Sequence, residues 1–170
     1  MAHSDIPNNA HPRRRAGCLG IARDETGRVL LVRTLYGKGL ILPGGGANED
    51  EPFDEAVRRE FAEETGLHVR LWALVAVDQV PANPVTGSCE GVNFVFDAGE
   101  FTEQQKAGMR VPSGAVSEIA GFEWLHPDEL ATHPEVSDGT ARRIAQALDA
   151  MKHGMWLPLL HEGRPAPAAA

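Results

Sequence analysis

The apolar positions of this chain change period several times, and each change marks an element. Ala16–Arg23 (AGCLGIAR) and Arg28–Thr34 (RVLLVRT) are short apolar runs on either side of Asp24-Glu25-Thr26-Gly27. That pattern predicts two antiparallel strands joined by a tight turn. From Pro52 the spacing lengthens: Phe53, Ala56, Val57 and Phe61 fall on one arc of a helix, and Gly66 stands where such a helix would be capped. His68–Val80 (HVRLWALVAVDQV) is apolar and β-branched and predicts one or two strands. Pro81–Glu90 reads as a long loop rich in turn residues, and Val92–Phe96 as a further buried strand. Glu103–Arg110 is polar and fits no period. Pro127–Ala131 predicts a short helix, and Asp138–Met151 a second amphipathic one with Ala141, Ile144, Ala145 and Leu148 on its core face. Strands interleaved with two main helices predict an α/β domain of packed layers, and the first hairpin makes the sheet mixed.

One helix breaks its own pattern. On the helix that starts at Pro52, Asp54, Glu55, Arg58 and Ala62 point to water, as polar residues should. Glu60 and Glu64, one turn apart, fall inside the apolar arc, and Glu63 lies at its margin. Carboxylates gathered away from bulk water are unfavourable unless something cancels their charge, and a divalent cation does that. The run Leu42-Pro43-Gly44-Gly45-Gly46 just ahead allows a ligand to approach the main chain closely. Carboxylate oxygens suit a hard cation such as Mg²⁺, which usually binds through a few carboxylates together with substrate phosphates. Glycine turn, acidic helix and hard metal together indicate chemistry at phosphorus.

These residues carry a resemblance. Gly45, five residues, Glu51, seven residues, then Arg59-Glu60-Phe61-Ala62-Glu63-Glu64-Thr65-Gly66-Leu67 resembles the Nudix box, G-x5-E-x7-R-E-U-x-E-E-x-G-U with U a bulky apolar residue. Every fixed position is filled, which chance would produce on the order of once in a million such chains. Phe61 stands where an aliphatic is commoner, and Leu40 where many relatives have tryptophan. The resemblance implies a Nudix α/β/α sandwich around a mixed β-sheet over residues 16–155, between a flexible N-terminal tail (1–15) and a C-terminal tail (156–170). It also implies hydrolysis of a diphosphate linkage in a nucleoside diphosphate joined to a further group, with Mg²⁺ (Mn²⁺ as a substitute) held by Glu60, Glu63, Glu64 and the Gly44 carbonyl. Glu60 is the first choice for general base. Glu118, six residues before Trp124 in a stretch that resembles the family's late strand, is the second. Arg59 orients a glutamate, with Glu63 and Glu51 as candidate partners, and Glu51 supports the loop. Arg33, after the apolar run Val29–Val32, reads equally as a surface ion pair or as a cation on a substrate phosphate. Gly45 belongs with substrate binding through its backbone.

Composition narrows the partners. A chain of 170 residues with net charge −8 makes one domain and argues against a nucleic-acid or anionic-membrane surface. An anionic small substrate stays compatible, because bound cations invert the local field. Cys18 and Cys89 lack metal-ligand spacing and read as reduced residues of a cytoplasmic protein. No apolar run is long enough to span a bilayer, and no signal-peptide core is present. Relatives are often dimers, so the resemblance admits a homodimer.

Substrate choice lies outside the box, in loops such as Pro81–Glu90. Pro81 stands about where ADP-ribose hydrolases of the family carry a proline, while a coenzyme A motif is absent. Nucleoside triphosphates, ADP-sugars and a dedicated biosynthetic substrate all remain open. Two rivals differ in class. A nucleotide-sensing Nudix-like module without turnover usually has a broken box or an appended domain, and neither is seen here. Prenyl diphosphate isomerases share the fold but need a catalytic cysteine set not found in this chain.

Overall fold

The hairpin predicted at the start of the chain is present. The computed structural model describes residues 14–35, 39–85, 87, 89–154, 159–161 and 164–165. Most of both expected tails lie outside them. In chain order the elements are β1 Arg15–Asp24, β2 Val29–Thr34, β3 Gly39–Ile41, β4 Gly44–Gly46, α1 Phe53–Thr65, β5 Ala73–Val80, β6 Gly91–Phe101, α2 Glu103–Gly108, β7 Ile119–Leu125, α3 Pro127–Leu130, α4 Asp138–His153, β8 Leu159–His161 and β9 Arg164–Pro165. β8 pairs parallel to β5, so described pairing continues past residue 155.

The strands form one mixed sheet with a main path β3-β2-β1-β6-β5-β8-β9. β1 runs parallel to β6 over most of its length, and β5 returns antiparallel to β6. β7 pairs with β2 all the way from Val29 to Thr34. β1 meets β2 only at Arg23↔Val29. At the other end of β2 that same edge is taken by β3, through Val32↔Ile41 and Thr34↔Gly39. The chain then crosses at Pro43 to pair β4 with β1, through Leu19↔Gly44 and Gly17↔Gly46. The glycine segment is thus held in the sheet where β1 and β2 part, and this fixes its position ahead of α1.

Alternation along the strands builds two cores. Ile21, Val29, Leu31 and Val95 face one way, against Ala141, Ile144 and Ala147 of α4. Ala22 and Leu30 face the other, with Phe61 of α1, and Cys18 packs there with Ala56 and Val57. A strand covered on both sides reads as a continuous apolar run, which is why β2 shows no polar alternation in sequence. The result is the expected α/β/α sandwich. Burying a leucine- or isoleucine-sized side chain in such a core contributes about 1.5–3 kcal/mol.

Two details differ from the sequence reading. In α4, Ala145 is exposed and the buried stripe passes through Ala147 and Ala150. Alanine fits either face of a helix, so its spacing points in no single direction. The polar stretch without a period contains α2, whose start is set by a capping box between Thr102 and Gln105. No helix among the described residues is long and apolar enough to cross a membrane.

Candidate active site

Helix α1 begins after Pro52 and ends at Gly66, whose φ of 74° gives the left-handed cap expected of glycine. Between these stops the helix turns Ala56, Val57, Phe61, Glu64 and Thr65 into the protein. Phe53, expected on the same arc, is partly exposed but stacks on Phe94 with ring centroids 4.4 Å apart. Thr65 is buried because its hydroxyl donates to the Phe61 carbonyl at 2.6 Å, which satisfies it inside the helix.

Glu64 is the buried acid. Its carboxylate accepts a hydrogen bond from the Gly44 N–H at 2.8 Å, and its relative exposure is only 7%. Loss of solvent pushes its pKa up to about 8, with Glu60, Glu118 and Glu63 adding repulsion. Glu60 is raised for the same first reason, burial, partly offset by Arg59. Glu60 also meets the glycine segment: a Cβ placed on Gly45 would fall 2.6 Å from both of its carboxylate oxygens. Two acids of one helix therefore converge on Gly44 and Gly45. Gly44 could not be another residue without strain, since its φ is 136° and an added Cβ would run into the Cys18 carbonyl and sit 2.9 Å from the Leu19 Cα.

Arg59 fixes Glu60, with Glu51 and Glu63, in place. It grips Glu51 with two hydrogen bonds, at 2.7 and 2.9 Å, donates to Glu60 at 2.8 Å and to Glu63 at 3.1 Å, and reaches the Gly46 carbonyl at 3.1 Å. Glu51 also accepts from the Asn48 N–H at 2.8 Å. These contacts, Arg59 first, hold the Glu51 pKa down to about 2. Both partners anticipated for Arg59 are engaged at once. Glu63 stays at the margin, its side chain 58% exposed.

The other candidates are placed less centrally. Glu118 is exposed just before β7 and is near enough to Glu64 to raise its pKa. Arg33 is in an ion-pair cluster: its guanidinium donates to Glu123 on β7 and to Glu135 ahead of α4. Glu123 is in turn 3.3 Å from His133, and these two acids with His133 form a compact group.

Beside the glycine segment, on the α4 side of the sheet, lies a cleft of about 370 Å³. Arg15, Asn93 and Arg143 line it together with Leu19, Val80 and Gly44–Gly46. Asn93 is buried and accepts from Arg15 at 3.1 Å. Arg143 donates to the fully buried Asp78 at 2.6 Å. Asn93, Asp78 and Arg143 were not singled out from sequence. The available signals were Asp78, a lone acid in an apolar strand, and Arg143, which lies on the stripe of Ala147 and Ala150.

The donor set fits a hard divalent cation. Three glutamates of one helix offer only oxygen, two of them held out of water where an uncompensated charge is costly, and backbone carbonyls lie close by. Dipositive charge at this point would favour the ionised forms that burial opposes.

Comparison with known proteins agrees with this geometry. Residues 11–148 match the model of the NUDIX domain. A MutT-like protein of Streptomyces ambofaciens is 31% identical over 130 residues, covering 76% of this chain and 74% of its own. A Bacillus subtilis protein provisionally described as an 8-oxo-dGTP diphosphatase is 30% identical over 114 residues, covering 67% and 68%. Among solved structures, the NUDIX domain of Shewanella oneidensis NrtR in complex with ADP ribose superposes with a TM-score of 0.66 at 17% identity, over 89% of this chain and 99% of that one. The acids of α1, the glycine segment they face and the matched domain agree, and the chain belongs to the NUDIX family as a MutT-like hydrolase.

Proposed function

We propose that the protein hydrolyses the diphosphate linkage of a nucleoside diphosphate joined to a further group, such as a nucleoside triphosphate or ADP-ribose, in the presence of Mg²⁺ or Mn²⁺. The observation that carries this reading is the convergence of Glu60 and Glu64 on Gly44–Gly45 beside the cleft. The cleft is of a size that takes a small organic ligand. Arg15, Asn93 and Arg143 supply polar groups for the nucleoside part, while the diphosphate lies along the glycine backbone. The relatives, one described as MutT-like and one provisionally as an 8-oxo-dGTP diphosphatase, support a nucleotide substrate.

Glu60, Glu63, Glu64 and the Gly44 carbonyl would hold the cation. When bound, such an ion neutralises phosphate charge and acidifies water. Glu60 then removes the proton of the attacking water at its carboxylate. Partial burial keeps this acid more basic than a surface glutamate, which suits it to that work. Arg59 holds Glu60 in orientation through Oε1 and is itself braced by Glu51. Glu118 is the second candidate for base, at the open side of the same cluster. Two free cysteines, one of them exposed, fit a cytoplasmic setting.

The test is a panel of nucleoside di- and triphosphates, ADP-ribose, NADH and dinucleoside polyphosphates with Mg²⁺, both products being identified. Glu60→Gln is expected to lower kcat by about 10²–10⁴-fold with the fold intact. A wild-type protein that binds one of these compounds with Mg²⁺ and never turns it over would instead be a sensing module.

A further inference from the structure

The cleft beside the glycine segment has a floor cleared of side chains. At Gly17 on β1, an added Cβ would run into the Asn93 Oδ1 and fall 2.6 Å from the Arg15 Nη1. At Gly91 on β6, it would sit 3.2 Å from the Arg15 Nη2. These two glycines let Arg15 lie across the sheet and donate to the Asn93 Oδ1 at 3.1 Å. That bond decides which way the amide points. The oxygen is engaged, while the Nδ2 hydrogens have no partner among the described residues and are not sealed from the cleft that Asn93 lines.

Arg143 supplies further donors. Asp78, which accepts from its Nε at 2.6 Å, stands directly opposite Asn93 in the sheet, so guanidinium and amide are neighbours. Because the buried Asp78 carboxylate balances its charge, Arg143 offers the cleft N–H groups rather than a net positive field. No side chain with a free acceptor lines the cleft among the described residues; apart from Arg15, Asn93 and Arg143 the lining is aliphatic or glycine. An apolar slot with donors along one edge suits a flat ring whose own edge carries acceptors. Guanine presents O6 and N7 in this way, and uracil and thymine present O4. Adenine and cytosine present an amino group, whose hydrogens would face those of Asn93.

We infer that this cleft selects the base by its carbonyl groups: the substrate class is a nucleotide of guanine, hypoxanthine, uracil or thymine, and Asn93 and Arg143 are the residues that choose it. The inference rests on the reading of the cleft as the nucleoside end of the diphosphate substrate.

ITP and ATP test it directly, since they share ribose and triphosphate and differ where one purine carries O6 and the other an amine; UTP and CTP form a second such pair. Binding is measured by calorimetry on Glu60→Gln with Mg²⁺, which spares the nucleotide, and kcat/KM on the wild type. The triphosphate and its cation are common to each pair, so their contribution cancels. ITP is expected to be favoured over ATP, and UTP over CTP, by about 10–100-fold. Asn93→Asp has the same shape but only acceptors, and should bring the ratio close to one or reverse it. Asp78→Leu with Arg143→Met should weaken ITP by about tenfold and leave ATP nearly unchanged. Melting temperatures establish that each variant is folded, and the unsubstituted cleft still decides the question if neither is. The proposal is overturned if ATP matches ITP and CTP matches UTP, if ITP and UTP fail to bind, or if both folded variants keep the original ratio. Discrimination in binding without turnover would sink the hydrolysis and leave base selection standing; turnover without discrimination would do the reverse.

Discussion

Glu64 combines two properties that oppose each other in the absence of a cation: it is buried, and the proposed metal-binding role requires it as an anion. Its pKa in the folded protein stands at about 8, against 4.5 for an ordinary glutamate. Between these values the native state keeps a proton that the unfolded chain has released, so native stability falls as pH rises through this window. Without a divalent ion, the melting temperature is expected to drop by roughly 5–10 °C from pH 5 to pH 8, which corresponds to a few kcal/mol in a domain of this size. Mg²⁺ should restore much of the loss at pH 8, where its binding displaces the proton. Glu64→Gln should flatten the pH dependence. A thermal scan in EDTA that slopes as steeply for this variant as for the wild type would assign the effect to other groups. Glu60 shifts in the same direction and adds to the slope.

At the scale of elements, the glycine segment and α1 work as one unit, and glycine substitutions separate their two roles. Gly44→Ala meets backbone, the Cys18 carbonyl and the Leu19 Cα, at a φ closed to alanine. It is expected to cost roughly 1–3 kcal/mol of stability. Gly45→Ala meets only the Glu60 carboxyl, the movable end of a side chain. Gly45→Ala should therefore keep its stability within about 1 kcal/mol while losing most activity, because Glu60 is pushed from its position. Equal melting losses for the two alanines would show that backbone contact does not set Gly44 apart. This unit was legible in sequence because its chemistry violates helical periodicity: Glu60 and Glu64 stand where the 3.6-residue pattern demands apolar side chains. The β1–β2 hairpin was legible for a related reason, since two apolar runs flank a short turn. The cleft was not, because it is assembled from β1, β4, β5, β6 and α4, and no local pattern links Arg15 to Asn93 or Asp78 to Arg143. Arg33 shows the same limit. Its ion-pair partners, Glu123 and Glu135, lie far along the chain on β7 and before α4, where no local pattern points to them.

At the scale of the whole molecule, α4 is joined to the sheet by an ion pair that also forms a wall of the cleft. Asp78 on β5 is fully buried, and Arg143 is nearly so, with a side-chain exposure of 13%. Removing one partner leaves a charge in the interior, so Arg143→Met is expected to destabilise the fold by about 3–5 kcal/mol. Replacing both, as Asp78→Leu with Arg143→Met, should return most of that stability, since an apolar pair of similar volume is often neutral. Activity should separate from stability in the same pair of proteins. If Arg143 also contacts the substrate, the double variant stays folded yet shows a KM raised by roughly tenfold with kcat little changed, the sign of lost binding rather than lost chemistry. If Arg143 only fastens α4, KM returns together with the melting temperature. Chemical denaturation and steady-state kinetics on the wild type, the single and the double variant decide between these outcomes, and a double variant with normal KM would remove Arg143 from the substrate site.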